Sequence, residues 1–164
     1  VTKEDYVKPL DLLNEFDNLL ITKTFSKIHG LASIRVGYGI ANPSLIEVLN
    51  RIRQPFNVNT IAQAMACVAI NDHEHINQSI ELNSQQYEFL FDKLSKLGLE
   101  CIPSVGNFIT FKGNFIGKEM FNNLMEKGVI VRSVDLYDMK DFIRVTIGTE
   151  AENLKFLSAL GELL

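Results

Sequence analysis

The feature that most constrains this chain is an amphipathic run from Asp72 to Leu97. Ile76, Ile80, Tyr87, Leu90, Phe91, Leu94 and Leu97 recur there at steps of three and four residues or their multiples, the period of one helical face. Gly98 stands where such a helix ends in a left-handed residue. At 1.5 Å per residue the helix reaches about 39 Å, enough to run from one lobe into another.

Before that rod the pattern predicts a helix over 7–17 (Leu10, Leu12, Leu13, Phe16), then a strand at Leu19-Leu20-Ile21. A polar stretch from Thr22 to Arg35 separates it from a second strand, Val36–Ala41. Asn42-Pro43 opens a helix, with asparagine capping and proline at the first helical position. That helix, Ser44–Ile52, stops before Pro55, and Asn59 or Thr60 opens another, Ile61–Ile70. After the rod, strands are predicted at Leu99–Ile102, Phe108–Phe111, Val129–Val131 and Asp141–Ile147. Helices are predicted at Gly117–Lys127 and Glu150–Leu164, a β-β-α-β-β-α order expected of a compact α+β lobe.

Composition removes several function classes. Sixteen Lys and Arg against twenty Asp and Glu give a net charge of -4, so no nucleic-acid surface or polybasic anchor is expected. No window approaches the roughly 18 apolar residues of a membrane-spanning helix, and Val1–Asp5 do not read as a secretory signal. Cys67 and Cys101 form no metal-ligand spacing and no disulfide framework, which makes a reducing cytoplasm the expected setting. Cys67, among alanines, reads as inert core. His73 and His75, two apart on a helix, point to different faces and make poor metal partners. His29 reads as packing and Asp135–Asp138 as an exposed loop.

The most informative segment is Thr24-Phe25-Ser26-Lys27-Ile28-His29-Gly30-Leu31-Ala32-Ser33-Ile34-Arg35-Val36-Gly37-Tyr38. A lysine that condenses with a carbonyl must spend time as the neutral amine, which burial or a nearby positive charge promotes. An arginine eight residues on would supply that charge and a fork matching a phosphate, and Thr24 and Ser26 would add hydroxyl donors. Each residue alone reads as a solvated loop side chain; the spacing as a whole is far more specific. A second segment is Phe142-Ile143-Arg144-Val145-Thr146-Ile147-Gly148-Thr149. Arg144 sits there in a strand that otherwise reads as buried, and a buried guanidinium needs an anion. A bound ligand and a structural ion pair with one of the twenty acidic residues both satisfy that need.

With these motifs the chain, from about Asn18 onward, closely resembles the fold-type I pyridoxal-phosphate aminotransferases, and within them the histidinol-phosphate aminotransferase branch. The resemblance implies an α/β chain: the end of a large pyridoxal-phosphate-binding domain (1–71), a connecting helix (72–97) and a small C-terminal α+β domain (98–164). It implies pyridoxal 5'-phosphate as cofactor, Lys27 as Schiff-base former and proton shuttle, and Thr24, Ser26 and Arg35 on the cofactor phosphate. Ser33 stands where many relatives have glycine. Arg144 would grip the anionic end of the substrate, helped by Arg132 in Gly128–Arg132, since two arginines suit a dianion. An exposed strand-end arginine is the competing reading of Arg132. Asn107, in Gly106-Asn107-Phe108, would line the substrate cleft, with a turn-stabilising asparagine as the alternative. No metal is expected.

The implied reaction moves an amino group from histidinol phosphate to 2-oxoglutarate. The partners are then small-molecule amines and 2-oxo acids, in a cytoplasmic homodimer with no nucleic acid and no membrane. The family's ring-stacking aromatic, its cofactor-ring aspartate and its Asn-Pro motif precede the lysine and are not located here; Asp5-Tyr6 is too short to count. A C-terminal portion of a longer enzyme is therefore expected. The alternatives are another fold-type I enzyme, aromatic or phosphothreonine-processing, and a non-catalytic C-terminal lobe.

Overall fold

A computed structural model describes residues 8–164. Val7 and Asp5-Tyr6, which entered the sequence reading above, lie outside the described residues. The described chain is α/β and divides into two compact units, with the division falling between Ser79 and Ile80.

The first unit is built on an antiparallel strand pair. Strands β1 (Leu20–Thr24) and β2 (Gly37–Ala41) run in register from Leu20 opposite Ala41 to Thr24 opposite Gly37. The predicted first strand thus starts one residue later and continues into the polar stretch. Gly37 is required by the pairing itself, because a Cβ there would lie 2.6 Å from the backbone oxygen of Lys23. Where a helix was expected over 7–17 there is only a short 3-10 segment, Asp11–Asn14. The Asp11, Leu12 and Leu13 N–H groups bond three residues back, to the Lys8, Pro9 and Leu10 carbonyls, so the segment is wound as a 3-10 turn.

Helix α1 (Pro43–Ile52) starts as the sequence dictates, Asn42 accepting from the Ser44 N–H at 3.3 Å with Pro43 at the first helical position. Helix α2 (Thr60–Ala69) is capped by Asn59, which accepts from the Ala62 N–H at 2.8 Å. Its burial corrects the sequence reading: only Ala62 is buried, while Ile61, Val68 and Cys67 are exposed. Cys67 is therefore not core. Apolar periodicity reports which side chains seek cover, and says nothing about which are covered.

Helix α3 (His73–Lys96) is two residues shorter than predicted, Asp72 accepting from the His75 N–H at 3.1 Å to begin it. Gly98 ends it at φ 77°. From Ile80 onward lies the second unit, a four-stranded antiparallel sheet of β3 (Glu100–Ile102), β4 (Phe108–Lys112), β5 (Arg132–Ser133) and β6 (Phe142–Thr146) in the order β3-β4-β6-β5. Helices α4 (Gly117–Glu126) and α5 (Glu150–Gly161) complete it. The pleat sends Ile109 and Phe111 of β4 and Ile143 and Val145 of β6 into one core with Leu90, Leu94, Leu124 and Leu160 from the three helices. The strand expected at Val129–Val131 lies instead at Arg132–Ser133. Gly128 turns at φ 72° and the Val129 N–H bonds back to the Leu124 carbonyl at 2.9 Å, so Val129 closes the helix and the ladder begins later.

Two elements of this unit depend on single residues. Gly117 begins α4 against β6, its N–H donating to Lys140 O at 2.8 Å. A Cβ at Gly117 would lie 2.8 Å from that same oxygen and closer still to the carbonyl oxygen of Phe142. Both obstacles are backbone, so Gly117→Ala is expected to destabilise by about 1–3 kcal/mol, measurable by denaturant unfolding. At the start of α5 the Glu152 carboxylate accepts from the N–H and the hydroxyl of Thr149, both at 2.8 Å. These bonds hold its carboxyl below the ordinary 4.5. A depressed folded-state value means the contribution is complete above the unfolded value and lost as pH falls through the folded one. The stability difference between wild type and Glu152→Gln should therefore be flat at neutral pH and change once pH drops below 4.5.

Candidate functional site

Residues 25–36 connect β1 to β2 and carry the lysine. Phe25 is the anchor of this loop: it is buried, its N–H donates to Val36 O at 3.2 Å, and its carbonyl accepts from the Leu31 N–H at 3.0 Å. Its ring packs 4.7 Å from His29 and 5.9 Å from Tyr38. With Phe25 fixed, its neighbours have defined positions. Thr24 Oγ1 accepts from the Ser26 N–H at 3.0 Å, which orients the hydroxyl and leaves its proton to donate elsewhere. The Lys27 carbonyl accepts from the Gly30 N–H at 2.9 Å, and Gly30 takes φ 69° to make the turn.

Lys27 is exposed and Ser26 half-buried, so the described residues do not enclose Lys27. Arg35 sits in the left-handed region at φ 59°, and one of its Nη groups donates to the Ala32 carbonyl at 2.8 Å. A non-glycine residue there carries a strain of about 1 kcal/mol, a conformation it shares with Phe56 and Asp138. Two hydroxyls, a guanidinium and a primary amine on one short loop match the chemistry of an organic phosphate that also bears an aldehyde. No carboxylate on this loop is available for the far side of such a molecule.

Two histidines tie the loop down. His29 Nδ1 donates to Ala69 O at 3.2 Å, in keeping with packing, and His75 Nε2 donates to Ile28 O at 2.9 Å. The His75 contact joins residues 47 apart in sequence, and no sequence signal announces it. Among the described residues no cluster of side chains could hold a metal ion.

The second group lies on the sheet of residues 80–164. Since Ile143 and Val145 face the core, Arg144 projects from the opposite face, half-buried. Arg132 stands directly opposite Arg144 across the β5–β6 pair. Like charges at opposed positions destabilise a sheet, and among the described residues no carboxylate pairs with either arginine. Arg144 Nε is buried without a hydrogen-bond partner, and its guanidinium carbon lies 4.7 Å from the centre of the Phe108 ring. The structural ion pair that competed for Arg144 is thus not found among the described residues, whereas an oxyanion would satisfy both arginines.

Arg132 is itself exposed, with a long 3.5 Å contact to the Tyr137 hydroxyl. The Asp135–Tyr137 segment is a 3-10 turn, Leu136 and Tyr137 exposed as expected, but one carboxyl oxygen of Asp135 is buried and unpaired. Asn107 is exposed and its backbone carbonyl accepts from the Ile147 N–H at 2.9 Å. Its placement at the head of β4 is defined by that bond. Phe108 and Tyr137 were not singled out in the sequence; strand register, which is not written in local pattern, brings Phe108 to Arg144, and the 3-10 turn five residues on brings Tyr137 to Arg132.

A family model described as "Aminotransferase class I and II" matches residues 1–160. The histidinol-phosphate aminotransferase of Caldicellulosiruptor saccharolyticus is 46% identical over 160 residues, covering 98% of this chain and 45% of that protein. A solved structure from Erwinia carotovora atroseptica, provisionally named histidinol-phosphate aminotransferase, superposes with a TM-score of 0.91 at 26% identity, covering 99% of this chain and 47% of that one. The histidinol-phosphate aminotransferase of Sinorhizobium meliloti, solved in complex with pyridoxal-5'-phosphate, shares the fold with a TM-score of 0.82 at 24% identity, covering 90% of this chain and 41% of that one. The chain thus spans less than half the length of these relatives.

The opposed arginines give a direct test. At low ionic strength Arg132→Gln should be as stable as wild type or more so, by about 0.5 kcal/mol, because a like-charge pair is removed. Added phosphate should raise the melting temperature of wild type more than that of the variant.

Proposed function

Because the chain belongs to the class I and II aminotransferases, a family of pyridoxal-phosphate enzymes, we propose that it is the lysine-bearing portion of a histidinol-phosphate-type aminotransferase. In this reading residues 1–71 end the large cofactor-binding domain, 72–97 connect, and 98–164 form the small α+β domain. The observation that carries the proposal is the donor set of the 25–36 loop and the strand ahead of it: Thr24, Ser26, Lys27 and Arg35.

When bound, pyridoxal 5'-phosphate withdraws electrons from the amine-bearing carbon of the substrate and so makes its proton acidic. The chain's own residues divide the remaining work. Thr24 and Ser26 donate hydroxyl hydrogen bonds to the cofactor phosphate, and Arg35 adds charge-assisted donors. Lys27 Nζ would take the proton from the substrate carbon as a general base and deliver it as a general acid to the carbon of the cofactor that carried the aldehyde. Arg144 and Arg132 hold the anionic end of the substrate, two cations matching a phosphate dianion better than a single carboxylate. Asn107, at the head of β4, borders the same substrate. The amino donor is then histidinol phosphate and the acceptor 2-oxoglutarate, in a cytoplasmic homodimer. Among the described residues no helix is long and apolar enough to cross a membrane.

Borohydride reduction after addition of pyridoxal phosphate, followed by peptide mass analysis, tests the cofactor assignment. Lys27 should carry the label, and Arg35→Gln should weaken labelling roughly tenfold through loss of a charged phosphate contact. Label spread evenly over the other lysines would overturn it. Turnover of an aromatic amino acid or of phosphothreonine in preference to histidinol phosphate would move the assignment to another branch of the family.

A further inference from the structure

Arg144 and Phe108 are diagonal neighbours on one face of the sheet, Phe108 lying two residues before Thr110, which is opposite Arg144. The guanidinium carbon is 4.7 Å from the centre of the ring, within cation–π range. Arg144 Nε is buried and unbonded. A phenyl ring offers a guanidinium no strong acceptor, so Phe108 covers Arg144 without engaging its N–H groups, and with Nε buried the terminal Nη groups are the donors left for a ligand.

The loop leading to Phe108 is itself held. The Ser104 N–H donates to the Tyr87 hydroxyl at 3.1 Å, and Asn83 Nδ2 donates to Gly106 O at 3.4 Å. Gly106 makes room for the ring: a Cβ there would lie 3.1 Å from Phe108 Cε1. These contacts fix where the ring stands, and the ring bounds where the guanidinium beside it can lie.

We propose, resting on the reading of Arg144 given above as the anion-binding side chain, that Phe108 is a positioning residue. Its ring holds Arg144 so that the two terminal Nη groups form a fork for an oxyanion edge, on a phosphate or a carboxylate. Nε is buried, so the approach is end-on, and desolvation by the ring strengthens both bonds. An arginine without the ring would turn about its terminal bonds and lose that fixed orientation.

The test follows the Arg144 Nε–H signal by nitrogen-15 NMR in the full chain while inorganic phosphate or acetate is added at constant pH. Arg144→Lys identifies the signal by its loss. In wild type the signal should shift saturably. A preference for phosphate would mark a phosphorylated ligand and a preference for acetate a carboxylate; either supports the fork. Phe108→Leu and Phe108→Met should weaken apparent affinity roughly tenfold, while Phe108→Tyr, which keeps the aromatic face, should stay within about twofold. Circular dichroism selects variants that retain the fold, and either non-aromatic variant suffices. Wild-type affinity in a folded Phe108→Leu or Phe108→Met would overturn the role of Phe108 and leave Arg144 standing. A wild-type signal indifferent to both anions would overturn the reading of Arg144 itself.

Discussion

The pleat of β6 is the constraint on which the arginine face depends. Ile143 and Val145 are drawn into the core with Leu90, Leu124 and Leu160, and a strand that buries alternate residues must send the one between them to the opposite face. Arg144 is therefore placed by its neighbours' hydrophobicity. A slip of one residue would bury the guanidinium among leucines and expose Ile143 and Val145, which no compensating contact would offset. The same register sets Arg132 opposite Arg144 and Phe108 diagonal to it. Gly117 secures the arrangement from the side, since only a residue without a side chain lets α4 begin against the β6 backbone.

The lysine loop is organised on a different principle. Its two strands are short, and the segment between them is fixed by one buried aromatic, Phe25, and by backbone hydrogen bonds to Val36 and Leu31. Thr24 adds one bond by accepting from the Ser26 N–H and keeps its own proton to donate, so in the proposed reading Thr24, Ser26 and Lys27 remain available for a ligand. Arg35 accepts a left-handed backbone at the end of the loop, a conformation maintained by the 3-10 turn before it and the strand after it. Both groups of residues thus stand on scaffolds built from other side chains.

Much of the secondary structure was legible. The three- and four-residue spacing gave α3, and Asn42-Pro43 and Asn59 opened α1 and α2 where short polar side chains can accept from free helical N–H groups. Gly98 and Gly128 marked helix ends through their left-handed backbones. The failures have physical causes. Leu10 to Phe16 have helical spacing but are wound as a 3-10 turn by bonds three residues back, and Val129–Val131 have strand composition but Val129 is consumed in closing α4. Cys67 looked buried because its neighbours are alanines, yet burial depends on what packs outside α2.

The sequence alone determined the residue types and their local spacing: a lysine just after two hydroxyls with an arginine eight positions on, and an arginine inside an apolar strand. Those are chemical facts, and they pointed to a phosphate-bearing carbonyl cofactor and an anionic substrate. Only the tertiary structure decided that Arg144 lies opposite Arg132 and over Phe108, that its Nε has no partner, and that His75 secures the loop at Ile28. Each of these relations joins residues through strand register or through long-range hydrogen bonds. Local pattern fixes which face a side chain takes along one strand, but the neighbour it meets is chosen only when separate elements pack together.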